Sequence, residues 1–355
     1  MKCLVLGAGA TAFCDIANPA RRPPLLNKKD FERMFKEGDG LSSTTSPAGY
    51  SHYNPFFIWA INEYSADLEQ MFTELFYVST LPHNVDVDEL KFLANQKFGG
   101  RVATLAEQVS NATGVRLGGV GSRNLLEFFS GALHSEIANC LGTNGSNPIT
   151  PSAGPISLDH KLLARHLNAA DSIVNYNYDD TMGYALVNEN RLDRTSFKNP
   201  LIVSVKIQNP YTSINPVKLI TPHGSFTWRH DINARGGHAE VHFGEVPIEG
   251  TYGAFTPLIL PYKCKDLVLR TSQIASEEFG LSMEAYALSD EVILIGKQFL
   301  NVDEDLNNFI LNATRAKTRK LILVDPQVSD SRWVEAHKSL FNANKIEKYE
   351  GLSGS

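Results

Sequence analysis

The chain has 355 residues, 43% of them hydrophobic, and carries a formal net charge of −6 at pH 7. That is enough apolar mass for one large globular domain or two ordinary ones. The negative balance gives no general electrostatic footprint for nucleic acid or an anionic membrane surface, so direct nucleic-acid binding is not expected.

Lys2 to Leu6 form a short apolar run that stops at Gly7, the pattern of a buried first strand in a parallel sheet. A lysine before such a run imitates a secretory leader, but Phe13 ahead of Cys14 is too large for a lipobox, and the strand reading is preferred. The segment PARRPPLLNKKD from position 19 to 30 contains three prolines and cannot continue a helix. From Pro55 to Glu136 apolar residues recur at three- and four-residue spacing, which predicts helices. The Gly-, Pro- and Ser-rich stretch from Gly142 to Pro155 reads as a surface connection, and Ser157 as the N-cap of a helix over LDHKLLARHLNAA.

Four further apolar runs read as strands: Ser172 to Tyr176, Lys218 to Thr221, Glu291 to Ile295 and Leu321 to Val324. Helical patterns over Glu277 to Leu288 and Asp303 to Lys317 alternate with them. The expectation is an α/β fold, a Rossmann-like parallel sheet with helices on both faces, built from residues 1–40 and 156–355. Residues 41–155 form a mainly helical insertion in this reading. No run of apolar residues is long enough for a transmembrane helix, and no membrane association is expected. The four cysteines, Cys3, Cys14, Cys140 and Cys264, contain no CxxC pair, so they suggest neither a zinc ribbon nor a disulfide framework and suit a reducing cytoplasm.

Gly7, Gly9 and Ala12 match a G-x-G-x-x-[GA] turn directly after a strand, where glycine lets a phosphate approach the backbone. A dehydrogenase would continue with a helix, a second strand and an acidic residue about twenty positions on. Here the proline-rich segment intervenes and Asp30 follows no strand, which disfavours hydride transfer. Three more polar clusters fall at expected strand ends: Asn177-Tyr178-Asp179, His223-Gly224-Ser225, and Gly296 with Asp303 just downstream.

The pieces LGAGAT, NYNYDDTM, TPHGSFTW, ILIGKQFLNVDED and LILVDP, in that order, resemble the sirtuin superfamily, especially the NAD-consuming sirtuin-like domains of bacterial antiphage defence. The resemblance covers roughly residues 1–35 and 170–350. It implies that Gly7, Ala8, Gly9 and Thr11 cradle the NAD pyrophosphate and that Asn177 and Asp179 line the nicotinamide-ribose pocket. It further implies that His223 is the general base, that Gly296 and Gln298 approach ribose and phosphates, and that Asp325 accepts from the adenosine ribose hydroxyls. NAD is then a substrate, and the implied activity is NAD glycohydrolysis that depletes NAD in defence. The analogy also implies homo-oligomerisation or activation by a separately encoded sensor, ATPase or Argonaute-like subunit.

The resemblance is incomplete. The four-cysteine zinc module of deacylating sirtuins is missing, and Lys297 stands where the family has a small hydroxyl residue. Two other functions stay open: a zinc-less protein deacylase or ADP-ribosyltransferase, and a non-catalytic NAD-binding scaffold. At the residue level, Asn177 and Asp179 can cap a turn, His223 can be a satisfied structural histidine, and Tyr176, Tyr178 and Trp228 read as packing. His230, His238 and His242 with Glu240 read as a solvated hairpin rather than a metal set, and no metal is expected.

Overall fold

The structure is a computed structural model that describes residues 1–12, 14–15, 54–64, 67–82, 85–113, 157–179, 181–192, 215–224, 228–231, 240–243, 273–297 and 304–351, with isolated positions between. In chain order the elements begin with β1 (Lys2–Leu6) and α1 (Ala8–Ala12). Four helices follow: α2 (Asn54–Glu63), α3 (Leu68–Ser79), α4 (Val87–Phe98) and α5 (Gly100–Thr113). Next come α6 (Leu158–His166), β2 (Ser172–Asn175), α7 (Thr181–Asn188), β3 (Lys218–Ile220), β4 (Trp228–Asp231) and β5 (Glu240–Phe243). The last part holds α8 (Gln273–Leu288), β6 (Glu291–Ile295), α9 (Glu304–Thr314), β7 (Arg319–Val324), α10 (Ser331–Leu340) and β8 (Ala343–Tyr349).

The chain divides into two compact units, one of Met1–Pro23, Cys140–Ile259 and Cys264–Ser355, the other of Pro24–Asn139 with Leu260–Lys263. The first holds a six-stranded, all-parallel sheet in the order β3-β2-β1-β6-β7-β8. From β1 the chain steps outward through β2 to β3, then returns to β6 on the other side of β1 and steps outward again. This is the Rossmann-like arrangement, and its reversal of direction lies between β1 and β6, where open α/β sheets hold their ligands at the strands' carboxyl ends.

The central strands are apolar throughout because both faces are covered. On one face Leu219, Ile173, Leu4, Ile293 and Ile322 stand in register across five strands, packed with Ala164 and Leu167 around α6 and Met182 and Leu186 of α7. On the other, Val174, Val5, Leu294 and Leu323 form the matching row. Each fully buried Leu or Ile contributes roughly 1.5–3 kcal/mol.

Two buried arginines close helix ends. Arg319, at the start of β7, donates to the carbonyls of Ser289, Thr314 and Phe341, which lie at the C-termini of α8, α9 and α10. Arg191 does the same for α6, donating to Ala164, Arg165 and Leu167 carbonyls and to Asn215. Both meet the acceptors a helix leaves over in its last turn and place positive charge at the dipole's negative end. β8 is a charged edge strand, and Lys320 of β7 pairs with its Glu347 at 2.9 Å, the charged dressing that discourages edge pairing.

In the second unit, Phe57 of α2 and Phe72 of α3 pack on Phe129. The Tyr64 hydroxyl donates to Glu74 at 2.5 Å, and Arg101 of α5 lies over the Tyr64 ring and pairs with Glu74 at 3.3 Å. This compensated cluster makes the burial of Glu74 tolerable. Among the described residues no helix is long and apolar enough to cross a membrane.

Candidate active site

The glycine turn after β1 is pressed against the end of β6. A Cβ on Gly7 would stand 2.3 Å from the Gly296 carbonyl oxygen, and one on Gly9 would stand 2.8 Å from the Gly296 Cα. Gly296 itself has φ +59°, and a side chain there would meet Ala10 N at 2.6 Å. These glycines are needed for backbone approach. The Gly7 amide donates to Ile295 and the Gly9 amide to Gly296, at 3.0 and 3.1 Å, so both are already committed to carbonyls at and just beyond the end of β6. What remains of the expected phosphate cradle is exposed Ala8 and the buried Thr11 hydroxyl.

Asn177 follows β2 and is 5% exposed. Its Nδ2 donates to Thr11 Oγ1 at 3.0 Å, and its backbone amide donates to Asn175 Oδ1 at 3.1 Å. Asn175 in turn donates to the Asp179 carbonyl at 3.3 Å, so two asparagines hold the segment after β2 in a fixed turn. The Asn177 Oδ1 has no hydrogen-bond partner among the described residues. A buried acceptor left open costs about 1–3 kcal/mol, so a donor is expected at this atom.

Asp179 is buried, and its Oδ1 accepts from the Thr181 amide at 3.1 Å at the head of α7, so the capping role open from sequence is present. Behind it, Ser157 caps α6, donates to Asp15 at 2.6 Å and lies 2.8 Å from His160 Nδ1. Burial lowers the pKa of His160, against the opposing pull of Asp179, Asp159 and Asp15.

His223 sits in the turn that leaves β3, closed by the Gly224 amide donating to the Thr221 carbonyl at 2.8 Å, with Gly224 at φ +79°. Its ring meets Tyr176 edge-on at 4.9 Å and Tyr178 at 6.1 Å, the two neighbours of Asn177. The two tyrosines expected to be packing are therefore what hold the histidine beside β2. Tyr176 hydrogen-bonds through its hydroxyl to Tyr286 of α8 at 3.0 Å, and burial raises both phenols' pKa values. The Lys297 ammonium lies 4.6 Å from the Tyr176 centroid and 5.1 Å from that of Phe299, a cation–π seat at the exit of β6.

Asp325 directly follows β7, is 8% exposed and accepts through Oδ1 from the Gln327 amide at 2.8 Å. Gln298 lies outside the described residues. The structure thus brings Thr11, Asn177, Asp179 and His223 to the carboxyl end of β1, β2 and β3, with Gly296 and Lys297 at the end of β6 and Asp325 at the end of β7. In the hairpin, His230 pairs with Val241 and His242 with Arg229, one residue out of phase. Among the described residues no group of three side chains is placed to hold a metal.

One residue of this region escaped the sequence reading. Glu278 of α8 is 8% exposed and accepts from the Thr221 amide at 2.7 Å. Burial, with Glu277 adding to it, pushes its carboxyl up to about 7 against the Thr221 amide and Lys218. The available signal was positional: Glu278 shares a buried stripe with Ser282, Ala285, Tyr286 and Ser289, where an acidic residue is out of place.

Fold and site together define an α/β protein of Rossmann-like architecture with polar residues gathered at the carboxyl ends of its parallel strands. No family model and no curated protein matches the sequence.

Proposed function

We propose that the chain is an NAD glycohydrolase that depletes NAD, as the resemblance to defence-associated sirtuin-like domains implies. The observation that carries this reading is the buried Oδ1 of Asn177, without a partner among the described residues, on an amide held through Nδ2 by Thr11 and set beside the tyrosines that seat His223. An acceptor in that position suits a water or ribose hydroxyl, either of which donates to it.

In the proposed reaction the bond from ribose C1′ to the nicotinamide nitrogen breaks, and nicotinamide leaves neutral with the electron pair. The positive charge that develops on the ribose is stabilised by the Asp179 carboxylate. Water held by Asn177 Oδ1 attacks C1′ and gives its proton to His223, leaving ADP-ribose; such a base contributes about 10²- to 10⁴-fold. The crossing of Gly7 and Gly9 over Gly296 supports an extended dinucleotide at the β1/β6 boundary, and Lys297 supplies a cation where pyrophosphate would lie.

The test is nicotinamide release from NAD by purified protein over a range of protein concentrations, with His223→Ala and Asn177→Ala alongside. Release by the parent and its loss in both variants is the expected result. NAD bound without release, at every concentration, overturns the reading for the isolated chain and points to a scaffold or a separately activated enzyme. A mass increase on an added acceptor protein would instead identify ADP-ribosyl transfer.

A further inference from the structure

We propose that Glu278 is a positioning residue for His223: by accepting the Thr221 amide it fixes the turn from which the imidazole is presented. The inference rests on the reading of His223 as the general base.

The geometry is specific to this strand exit. β2 and β3 pair in parallel through Val174 and Ile220, and the residue directly after β3 is Thr221. Its amide turns instead to Glu278 Oε2 at 2.7 Å, on a helix more than fifty residues later in the chain. The strand ends there, and within three residues the Thr221 carbonyl accepts from Gly224, so both backbone polar groups of Thr221 are fixed and His223 sits between the two anchors. Thr221 is 4% exposed and Glu278 8%, so solvent does not compete for the bond.

The same helix holds His223 from a second side. Tyr286 lies two turns beyond Glu278, its hydroxyl 3.0 Å from that of Tyr176, and the Tyr176 ring packs against the imidazole. One element therefore sets the backbone of the histidine's turn through a carboxylate and its ring through a tyrosine. A charge-assisted bond to an amide is roughly twice as strong as a neutral one, so the ionised carboxylate grips the turn harder than the acid. Burial, reinforced by Glu277 of α8 and opposed by Lys218 of β3 and the Thr221 amide, puts the change between the two at about 7.

The experiment follows the His223 ring by NMR in the full chain, its Cε1–H signal assigned by its loss in His223→Ala, and measures nicotinamide release across the same pH range. In the parent the signal should show a second inflection at about 7, where Glu278 titrates, and the inflection should vanish in Glu278→Gln. Glu278→Gln should lower kcat about tenfold or more with KM little changed, since a small misplacement of a reacting group costs up to about a hundredfold. Glu278→Asp should recover part of the loss.

Superimposable His223 titrations in parent and Glu278→Gln would overturn the inference, as would a change in KM with kcat intact. If Glu278→Gln does not fold, hydrogen exchange at the Thr221 amide of the parent decides instead: protection that changes as pH passes through about 7 supports the role, and pH-independent protection refutes it. A parent that releases no nicotinamide while its His223 signal follows Glu278 overturns the hydrolase reading and leaves this one standing. A parent that releases nicotinamide as fast as Glu278→Gln overturns this one alone.

Discussion

The side-chain amide of Asn177 donates to the hydroxyl of Thr11 at 3.0 Å, joining the exit of β2 to the first helix after β1 across 166 residues of sequence. The bond fixes which end of the amide points away: Nδ2 is engaged, and the buried Oδ1 has no partner among the described residues. The pairing orients a candidate water-holding group as well as joining two strand ends.

Thr11→Val tests that orientation. The valine keeps the volume but removes the acceptor, leaving Nδ2 buried and unpaired at a cost of about 1–3 kcal/mol. Urea denaturation should show that loss, and nicotinamide release should fall together with it. Unchanged stability would mean that Asn177 turns to another partner.

Glycine substitutions should separate sharply by location. Gly296→Ala places a Cβ 2.6 Å from three backbone atoms of Gly9 and Ala10 at φ +59°, where none of them can retreat cheaply, so a loss of several kcal/mol or failure to fold is expected. Gly280→Ala, within α8 and with nothing within 4 Å of the added carbon, should instead gain about 1 kcal/mol. Thermal unfolding of the two variants provides the comparison.

Arg319→Met retains the apolar stem but removes every donor to Ser289, Thr314 and Phe341. Three helix-end carbonyls then lose a buried partner, and a loss of about 2–4 kcal/mol is expected from chemical denaturation. A variant as stable as the parent would show that water replaces the guanidinium.

Glu278 predicts a pH signature in stability. Its carboxyl is raised by burial from an ordinary 4.5 to about 7, so the folded chain holds this proton more tightly than the unfolded chain. Its contribution is therefore fully favourable below 4.5, declines as pH rises through the interval to about 7, and stays low above it. Glu278→Gln removes that slope, so at pH 8 the variant should exceed the parent in stability by up to about 3 kcal/mol. A variant that is more stable yet slower would be the behaviour of a residue kept for function. Equal slopes of stability against pH in the two proteins would refute the assignment.

Local pattern carried much of the fold. The bounds of β1 and β6 could be read from their apolar runs, Ser157 from its place before a helical pattern, and the helical character of α2 to α5 from their spacing. Each is a property of neighbouring residues, and backbone geometry converts it directly into structure. β8 escaped because an edge strand carries charge where a central strand carries leucine: Lys345, Glu347 and Lys348 conceal its apolar residues.

The site divides along the same line. The sequence by itself determined that a glycine turn, Asn177, Asp179 and His223 each follow a strand, and the shared direction of a parallel sheet brings such ends to one edge. Only the tertiary structure decided that the Gly9 amide is taken by Gly296, that Tyr176 seats His223, that Arg319 closes three helices and that Glu278 reaches Thr221. Those partners lie between 5 and 287 residues apart, as between Thr314 and Arg319 and between Gly9 and Gly296. No local periodicity encodes such pairings, because they follow from which elements the buried core packs together.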